Sequence, residues 1–170
     1  DIFNNFFTNY YFKLIFTAFC ILILINGSNF IDGSNGLNLG YFLCVYLILQ
    51  ILTFNKIIYF DGEIILTMLL CILFLLILNL LNYLYLGDSG AYLLAFFTGS
   101  ILIYIHQKNL NISPYFIALL LWYPVFENFF SIIRKKLNKI DPLKPDNNHL
   151  HQLIFKYIKN KKIFSKNYSN

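Results

Sequence analysis

Carboxylate, amide and glycine residues crowd into a short polar island that separates two membrane-length apolar segments. This first island covers residues 26–37, reads Asn-Gly-Ser-Asn-Phe-Ile-Asp-Gly-Ser-Asn-Gly-Leu, and carries its carboxylate at Asp32. Such groups anchor a helix poorly in lipid, where polar groups without partners are costly. A carboxylate can instead bind a divalent cation, and glycine lets the backbone approach a ligand closely. The island therefore indicates a site for a nucleotide and a metal ion.

A second island, Leu-Gly-Asp-Ser-Gly at residues 86–90, places Asp88 just before another apolar segment. Proteins usually hold Mg²⁺ through one or two carboxylates together with substrate phosphates. Asp32 and Asp88 are the only carboxylates of the two islands, so we expect them around one metal ion. Asn29 lies three residues before Asp32, and at a helix end both side chains would point into one cavity. Helix capping and an Asn- and Gly-rich turn explain each residue singly just as well.

A third island holds His149 and His151, which are two residues apart and would align on an extended loop but diverge on a helix. A zinc site is disfavoured, because no cysteine is nearby and Asp146 is the one neighbouring acid. The functional interpretation is contact of the ring N–H donors with phosphate, and the alternative is a polar amphipathic loop. Glu127 lies inside an apolar segment, where an ionisable group indicates function. We expect it to order the neighbouring polar loops through hydrogen bonds rather than to react.

The composition is that of a membrane protein. Of the 170 residues, 58% are hydrophobic and only 12% are charged, whereas a soluble domain is about half apolar and a quarter charged. The net charge of +5 does not indicate nucleic-acid binding, since ten of the 13 basic residues follow residue 133. We interpret this basic tail as a topological signal.

An all-α fold is predicted, a polytopic membrane helix bundle with about five transmembrane helices of about 20 residues each. The apolar runs show no alternation of period two, which disfavours strands. We treat residues 1–170 as one partial catalytic membrane domain ending in a cytoplasmic loop and tail at 134–170. The predicted helices are 6–25, 38–54, 63–81, 90–106 and 113–133, the last with Pro124 inside it.

Alternating crossings put all three islands on one side of the membrane. The loops near 26–37, 83–89 and 134–151 share that side, and it carries ten basic residues. Basic residues are enriched in cytoplasmic loops, so this side is predicted to be cytoplasmic. The common location of the islands is the strongest sequence argument for one composite site.

Taken together, these motifs resemble the C-terminal signatures of polyprenyl-phosphate N-acetylhexosamine-1-phosphate transferases, that is, glycosyltransferase family 4. The resemblance covers roughly residues 12–156 and is closest to the bacterial subgroup that uses UDP-N-acetylglucosamine or a related UDP-sugar. The matching stretches are Asn-Gly-Ser-Asn-Phe-Ile-Asp-Gly-Ser-Asn-Gly-Leu at 26–37, Leu-Gly-Asp-Ser-Gly-Ala-Tyr at 86–92, Trp-Tyr-Pro-Val-Phe-Glu-Asn at 122–128 and Pro-Asp-Asn-Asn-His-Leu-His-Gln at 145–152.

The resemblance implies an enzyme of the bacterial inner membrane with its active site facing the cytoplasm. It implies Mg²⁺- or Mn²⁺-dependent transfer of a sugar-1-phosphate, such as N-acetylhexosamine-1-phosphate, from a UDP-sugar to undecaprenyl phosphate. The reaction releases UMP and starts the synthesis of cell-envelope polysaccharides such as lipopolysaccharide. The implied partners are undecaprenyl phosphate, a UDP-N-acetylhexosamine and the lipid bilayer. Nucleic acid is not expected as a partner, and the resemblance is compatible with a homodimer.

The resemblance also implies roles for individual residues. Asp32, Asp88, His149 and His151 are the implied catalytic residues. Of these, Asp88 would be the metal ligand, Asp32 would lie beside the diphosphate, and the histidines would contact phosphate or sugar. The implied substrate-binding residues are Asn26, Asn29, Gly33, Asn35 and Tyr85, with Gly33 and Asn35 lining the uridine pocket and Tyr85 stacking on uracil.

One element of the family pattern is missing, because residues 1–25 supply no upstream pair of aspartates. We therefore expect a fragment that is inactive alone. The alternative function is a transporter or channel module, since polar breaks between apolar helices also line ion paths. Transporter sites lie near the membrane midplane, however, whereas these islands lie at one face. A structural membrane protein is a third interpretation, and it would tolerate loss of Asp32 or Asp88 except through stability.

Overall fold

The computed structural model describes residues 9–109, 111–139 and 149–160, and these form seven helices and no strands. The predicted all-α bundle is confirmed, since four helices are long and apolar enough to cross a membrane and a bent pair supplies up to one further span. The helices are α1 Tyr10–Ile31, α2 Leu37–Phe54, α3 Gly62–Leu80, α4 Gly87–Lys108, α5 Pro114–Leu120, α6 Trp122–Leu137 and α7 Leu150–Asn160.

Helix α1 is the centre of the packing, because it lies against both α4 and α6, while α2 packs on α3. It ends at Ile31 rather than near residue 25, so the first half of the first island is helical. Many large apolar side chains of the four long helices remain exposed, as expected of surfaces that face lipid. The core is aliphatic and aromatic and includes Leu24, Phe42, Tyr46 and Leu102.

Small residues let α1 approach its neighbours closely. A Cβ atom built on Gly27 would lie 2.0 Å from the carbonyl oxygen of Pro124 in α6. This distance is too short for any side chain at position 27, so only glycine fits there. A Cβ atom on Gly99 of α4 would lie 3.2 Å from Leu24 of α1. Because lipid gives helices no hydrophobic reason to associate, such close backbone contact is a main source of stability in membranes.

The fifth predicted span, 113–133, is not one straight helix. It divides into α5 and α6, which meet at 70° at Leu121. Proline has no N–H, so Pro124 cannot donate the helical hydrogen bond to the carbonyl of Leu120 four residues earlier, and its ring clashes there. The hydroxyl of Tyr41 in α2 donates to that carbonyl instead. The bend thus leaves a carbonyl that a neighbouring helix satisfies.

The prediction of a loop and tail at 134–170 is wrong in two places. Helix α6 continues to Leu137 and carries Arg134, Lys135 and Lys136 in its last turn, where cations favour the negative end of the helix dipole. Helix α7 then occupies 150–160. This helix is strongly amphipathic, but the sequence interpretation missed it because the segment is rich in Lys and Asn. Residues 140–148, including Asp146, and residues 161–170 lie outside the described residues.

Candidate active site

Asp32 lies at the C-terminal end of α1 and is half-buried. Its Oδ1 atom accepts a hydrogen bond of 3.4 Å from Asn38 Nδ2 in the first turn of α2. Burial raises the pKa of the Asp32 carboxyl above its ordinary value. The bonds from Asn38 and from the backbone amide of Gly87 act in the opposite direction, and the charge of Asp88 raises this pKa further. The ends of α1 and α4 therefore meet at two carboxylates.

Asp88 is exposed in the first turn of α4, at the positive end of the helix dipole. Its effect on the pKa of Asp32 is a like-charge repulsion, which a divalent cation between the two groups would relieve. No three His, Cys, Asp or Glu side chains form a metal-binding group in the part of the chain that the structure describes. Two carboxylates completed by substrate phosphates fit Mg²⁺, which seldom takes all its ligands from protein.

Asn79, a residue that the sequence motifs did not single out, joins the first island to the loop that leads into the second island. Its Oδ1 atom accepts a 2.6 Å hydrogen bond from the backbone N–H of Gly36, and its Nδ2 atom donates a 2.9 Å bond to the carbonyl of Leu84. Gly36 begins α2 at a φ of 79°, which favours glycine. Asn35 Nδ2 adds a 2.7 Å bond to Asn82 Oδ1. The sequence feature that could have revealed Asn79 is a polar amide near the end of an otherwise apolar run.

Replacing Asn79 by Leu is expected to lower the free energy of unfolding by about 2–3 kcal/mol, because an unsatisfied buried backbone group costs roughly 1–3 kcal/mol. The substitution leaves the N–H of Gly36 and the carbonyl of Leu84 without this partner. The matched control is Asn82→Gly, which removes only an exposed hydrogen bond at a φ of 59° that glycine adopts readily. Thermal unfolding in detergent should separate the two variants, and equal melting temperatures would contradict the role given to Asn79.

Three further hydrogen bonds tie the first island to its surroundings. The fully buried Ser28 hydroxyl lies 3.2 Å from Asn38 Oδ1 and 3.0 Å from the carbonyl oxygen of Ala91, so its single proton is shared between two acceptors. Asn29 Nδ2 donates a 3.2 Å bond to the hydroxyl of Tyr92 in α4. Asn29 therefore bonds to α4, while Asp32 accepts hydrogen bonds both from Asn38 in α2 and from the backbone amide of Gly87 at the start of α4.

The remaining predicted binding residues lie on the surface around the carboxylates. Asn26 on α1, Gly33 in the turn and Asn35 are exposed. Tyr85 is 71% exposed in the segment that leads into α4, where its ring is accessible to a ligand. These positions leave the predicted nucleotide contacts sterically open.

His149 lies immediately before α7 and is 8% exposed. Its ring stacks on Phe30 of α1 at a centroid distance of 4.9 Å, and its Nδ1 atom lies 3.7 Å from Glu127 Oε2. The prediction that Glu127 orders a polar segment through hydrogen bonds is confirmed, since its carboxylate accepts from the N–H of Leu150. His151 lies in the first turn of α7, and its side chain is outside the described residues.

The structure thus brings the three islands to one end of the bundle. The sequence motifs singled out both aspartates and both histidines. They did not single out Phe30, which stacks on His149, Asn38, which bonds to Asp32, or Asn79, which bonds to Gly36. A large groove of about 840 Å³ lies at the opposite end, between the start of α3 and the end of α4. None of the predicted site residues lines that groove.

Residues 1–106 match the family described as glycosyl transferase family 4. Two curated relatives are the undecaprenyl-phosphate alpha-N-acetylglucosaminyl 1-phosphate transferases of Escherichia coli strain K12 and of Shigella flexneri. The chain is 30% identical to each in an alignment 159 residues long, and the alignment covers 85% of the chain and 41% of the relative. It therefore spans less than half the length of these relatives. No solved structure matches it significantly.

Proposed function

Because the chain belongs to glycosyl transferase family 4, we propose that it carries part of the active site of a membrane enzyme that attaches a sugar-1-phosphate to a polyprenyl phosphate. The proposed donor is a UDP-N-acetylhexosamine and the proposed acceptor is undecaprenyl phosphate. In the reaction an acceptor phosphate oxygen forms a bond to the β-phosphorus of the donor. The bond from that phosphorus to the bridging oxygen breaks, and the oxygen leaves with UMP.

The observation that carries the proposal is that the end of α1, next to Asp32, is hydrogen-bonded to the start of α4, which carries Asp88 in its first turn. Phosphoryl transfer requires positioning and charge neutralisation more than covalent chemistry from the protein. The two aspartates would hold Mg²⁺ or Mn²⁺, which would neutralise diphosphate charge that otherwise repels the anionic acceptor. Asn38 keeps the Asp32 carboxylate in place, and the first turn of α4 presents Asp88 to solvent.

The other exposed residues of the site suit a nucleotide sugar. Gly33 and Asn35 in the turn after α1 are proposed to line the uridine pocket, and Asn26 and Asn29 to bind substrate nearby. The exposed ring of Tyr85 is proposed to stack on uracil. His149 and His151 are proposed to contact phosphate or sugar through their rings.

The location of the site at the end of membrane helices suits two substrates of opposite solubility. A lipid phosphate can approach sideways from the bilayer, while the nucleotide sugar approaches from water. Arg134, Lys135 and Lys136 follow Glu127 on α6, so the basic end of this helix and the site belong to the same face of the membrane. By the positive-inside bias we propose that this face is cytoplasmic, in the inner membrane of a bacterium that uses the product for cell-envelope polysaccharide.

The proposal is tested by the release of UMP. Membranes that contain the complete protein should release UMP when given undecaprenyl phosphate, a UDP-N-acetylhexosamine and Mg²⁺, and a metal chelator should stop the release. Omitting the lipid phosphate is the control for simple hydrolysis of the donor. Release that is independent of lipid phosphate, or no release with any UDP-sugar from a folded protein, would reject the transferase in favour of a transport or structural role.

A further inference from the structure

Glu127 is a fully buried carboxylate on α6, in the second turn after the bend at Leu121. Its Oε1 atom lies 3.0 Å from the backbone nitrogen of Leu150, and its Oε2 atom lies 3.3 Å from the same nitrogen. The hydroxyl of Tyr123 donates to Oε1 at 3.4 Å. A buried charge is costly unless other groups hydrogen-bond to it. The Glu127 carboxylate is therefore stable only where the N–H of Leu150 and the hydroxyl of Tyr123 can donate to it.

The start of α7 explains why a carboxylate from another helix is useful there. The first N–H groups of a helix lack partners within the helix, and Ser, Thr, Asp or Asn usually caps them. Here the residue before the helix is His149, whose carbonyl accepts from Leu153 N at 2.9 Å. Gln152 reaches back to the N–H of His149 at 3.3 Å, as in half of a capping box. Glu127 takes the N–H of Leu150 and adds negative charge at the positive end of the helix.

The same carboxylate faces the ring of His149. Oε2 of Glu127 lies 3.7 Å from Nδ1 of the His149 ring. The same ring stacks on Phe30, with 4.9 Å between the ring centroids. Phe30 is two residues before Asp32 on α1. The imidazole is therefore held between the helix that carries Glu127 and the helix that ends at Asp32. At 3.7 Å, the separation of Oε2 and Nδ1 is an ion-pair distance rather than a hydrogen bond, so the carboxylate acts on the ring through its negative charge, which favours the tautomer with the proton on Nδ1.

We propose that Glu127 is the positioning residue for His149: it caps α7 through the N–H of Leu150 and holds the imidazole proton on Nδ1. The aromatic contact with Phe30 then fixes the plane of the ring relative to Asp32. The consequence for substrate contact, in which the unprotonated Nε2 can accept a hydrogen bond from a sugar hydroxyl, rests on the function proposed above, whereas the positioning itself does not. Glu127 is a positioning residue because it acts through His149.

The direct test is ¹⁵N NMR of the protein labelled on histidine, at a pH where the rings are neutral. The chain contains three histidines, and His149→Asn assigns one signal. We expect wild-type His149 to be protonated at Nδ1, and Glu127→Gln to release that preference while His106 stays unchanged. The control is Asn128→Ala, which removes the hydrogen bond from the residue next to Glu127 to the carbonyl of Ile23 on α1. This variant should leave the His149 tautomer as in wild type. An unchanged His149 signal in Glu127→Gln would overturn the proposal.

A second pair of variants tests the cap and does not depend on whether Glu127→Gln folds. Leu150→Pro removes the N–H that Glu127 accepts, yet proline is well tolerated at the first position of a helix. Leu150→Ala removes the same side chain and keeps the N–H. We expect only the proline variant to change the His149 signal and to lower kcat for UMP release, by about 10-fold, which is within the loss that misplacing a contact by about 1 Å can cause. Equal behaviour of the two variants would overturn the cap. Failure of the transferase assay with the NMR result intact would reject only the function.

Discussion

Replacing Asp88 by Asn in the complete protein is expected to lower the rate of UMP release by at least about 100-fold, the usual scale for removing one electrostatic contact to a transition state. Asn keeps the size and exposure of the side chain, so the fold should be unaffected. It removes one of the two charges that meet at the ends of α1 and α4. If Asp88 holds the metal ion, the concentration of Mg²⁺ required for half-maximal rate should also rise. The measurement is the initial rate over a series of Mg²⁺ concentrations, in membranes with equal amounts of protein.

The matched control for Asp88 is Asp61, an exposed aspartate at the start of α3, at the other end of the bundle. Its side chain accepts a 2.9 Å hydrogen bond from Glu63 N, and Asn caps a helix about as well as Asp does. Asp61→Asn should therefore keep the wild-type rate and metal requirement. A wild-type rate in Asp88→Asn, or an equal loss in Asp61→Asn, would contradict the metal role of Asp88.

Replacing Gly27 by Ala is expected to destabilise the protein by about 3 kcal/mol, the upper part of the range for overpacking a well-packed interior. The added methyl group would lie 2.0 Å from the carbonyl oxygen of Pro124, and this is rigid backbone rather than the tip of a side chain. Helices α1 and α6 must then separate, which also weakens the 3.1 Å bond from Asn128 Nδ2 to the carbonyl of Ile23. Thermal unfolding in detergent measures the loss.

Gly40 provides the control for this substitution, because it lies in α2 and a Cβ atom there meets no other atom within 4 Å. Alanine in place of glycine inside a helix stabilises by roughly 0.5–1 kcal/mol. Gly40→Ala should therefore raise the melting temperature slightly, while Gly27→Ala lowers it strongly. If both variants melt like wild type, α1 and α6 are not in backbone contact as described.

The elements that sequence predicted best are those with local causes. A run of about 20 apolar residues bounded by polar groups is enough to place a membrane helix, and four of the five expected spans correspond to single helices. Asp88 fell in the first turn of a helix, where its charge is favoured. The bend between α5 and α6 was less accessible. The predicted span 113–133 ran through Pro124 without a break, whereas the structure bends there by 70°, and the carbonyl freed by the proline finds its partner on α2.

The contacts that assemble the site were beyond sequence reasoning, because they join residues far apart in the chain. Nothing periodic in the chain links Phe30 to His149 or Gly36 to Asn79. In the sequence, Asn79 is an ordinary amide at the end of an apolar run. Its importance comes from its hydrogen bonds to Gly36 and Leu84, which lie in two different loops. His149 was expected on an extended loop, yet it directly precedes a helix whose first N–H belongs to a carboxylate on α6.

The amino-acid sequence by itself determined that this is a multi-pass helical membrane protein of glycosyl transferase family 4, and it determined which carboxylates and histidines could do chemistry. Apolar length, polar breaks and motif spacing are local properties, and local properties are readable along the chain. Only the tertiary structure decided that Asn79 joins the first island to the loop before the second and that Glu127 holds the start of α7 beside Phe30. The physical reason is that a buried polar group must find a partner wherever the packing of other helices puts one.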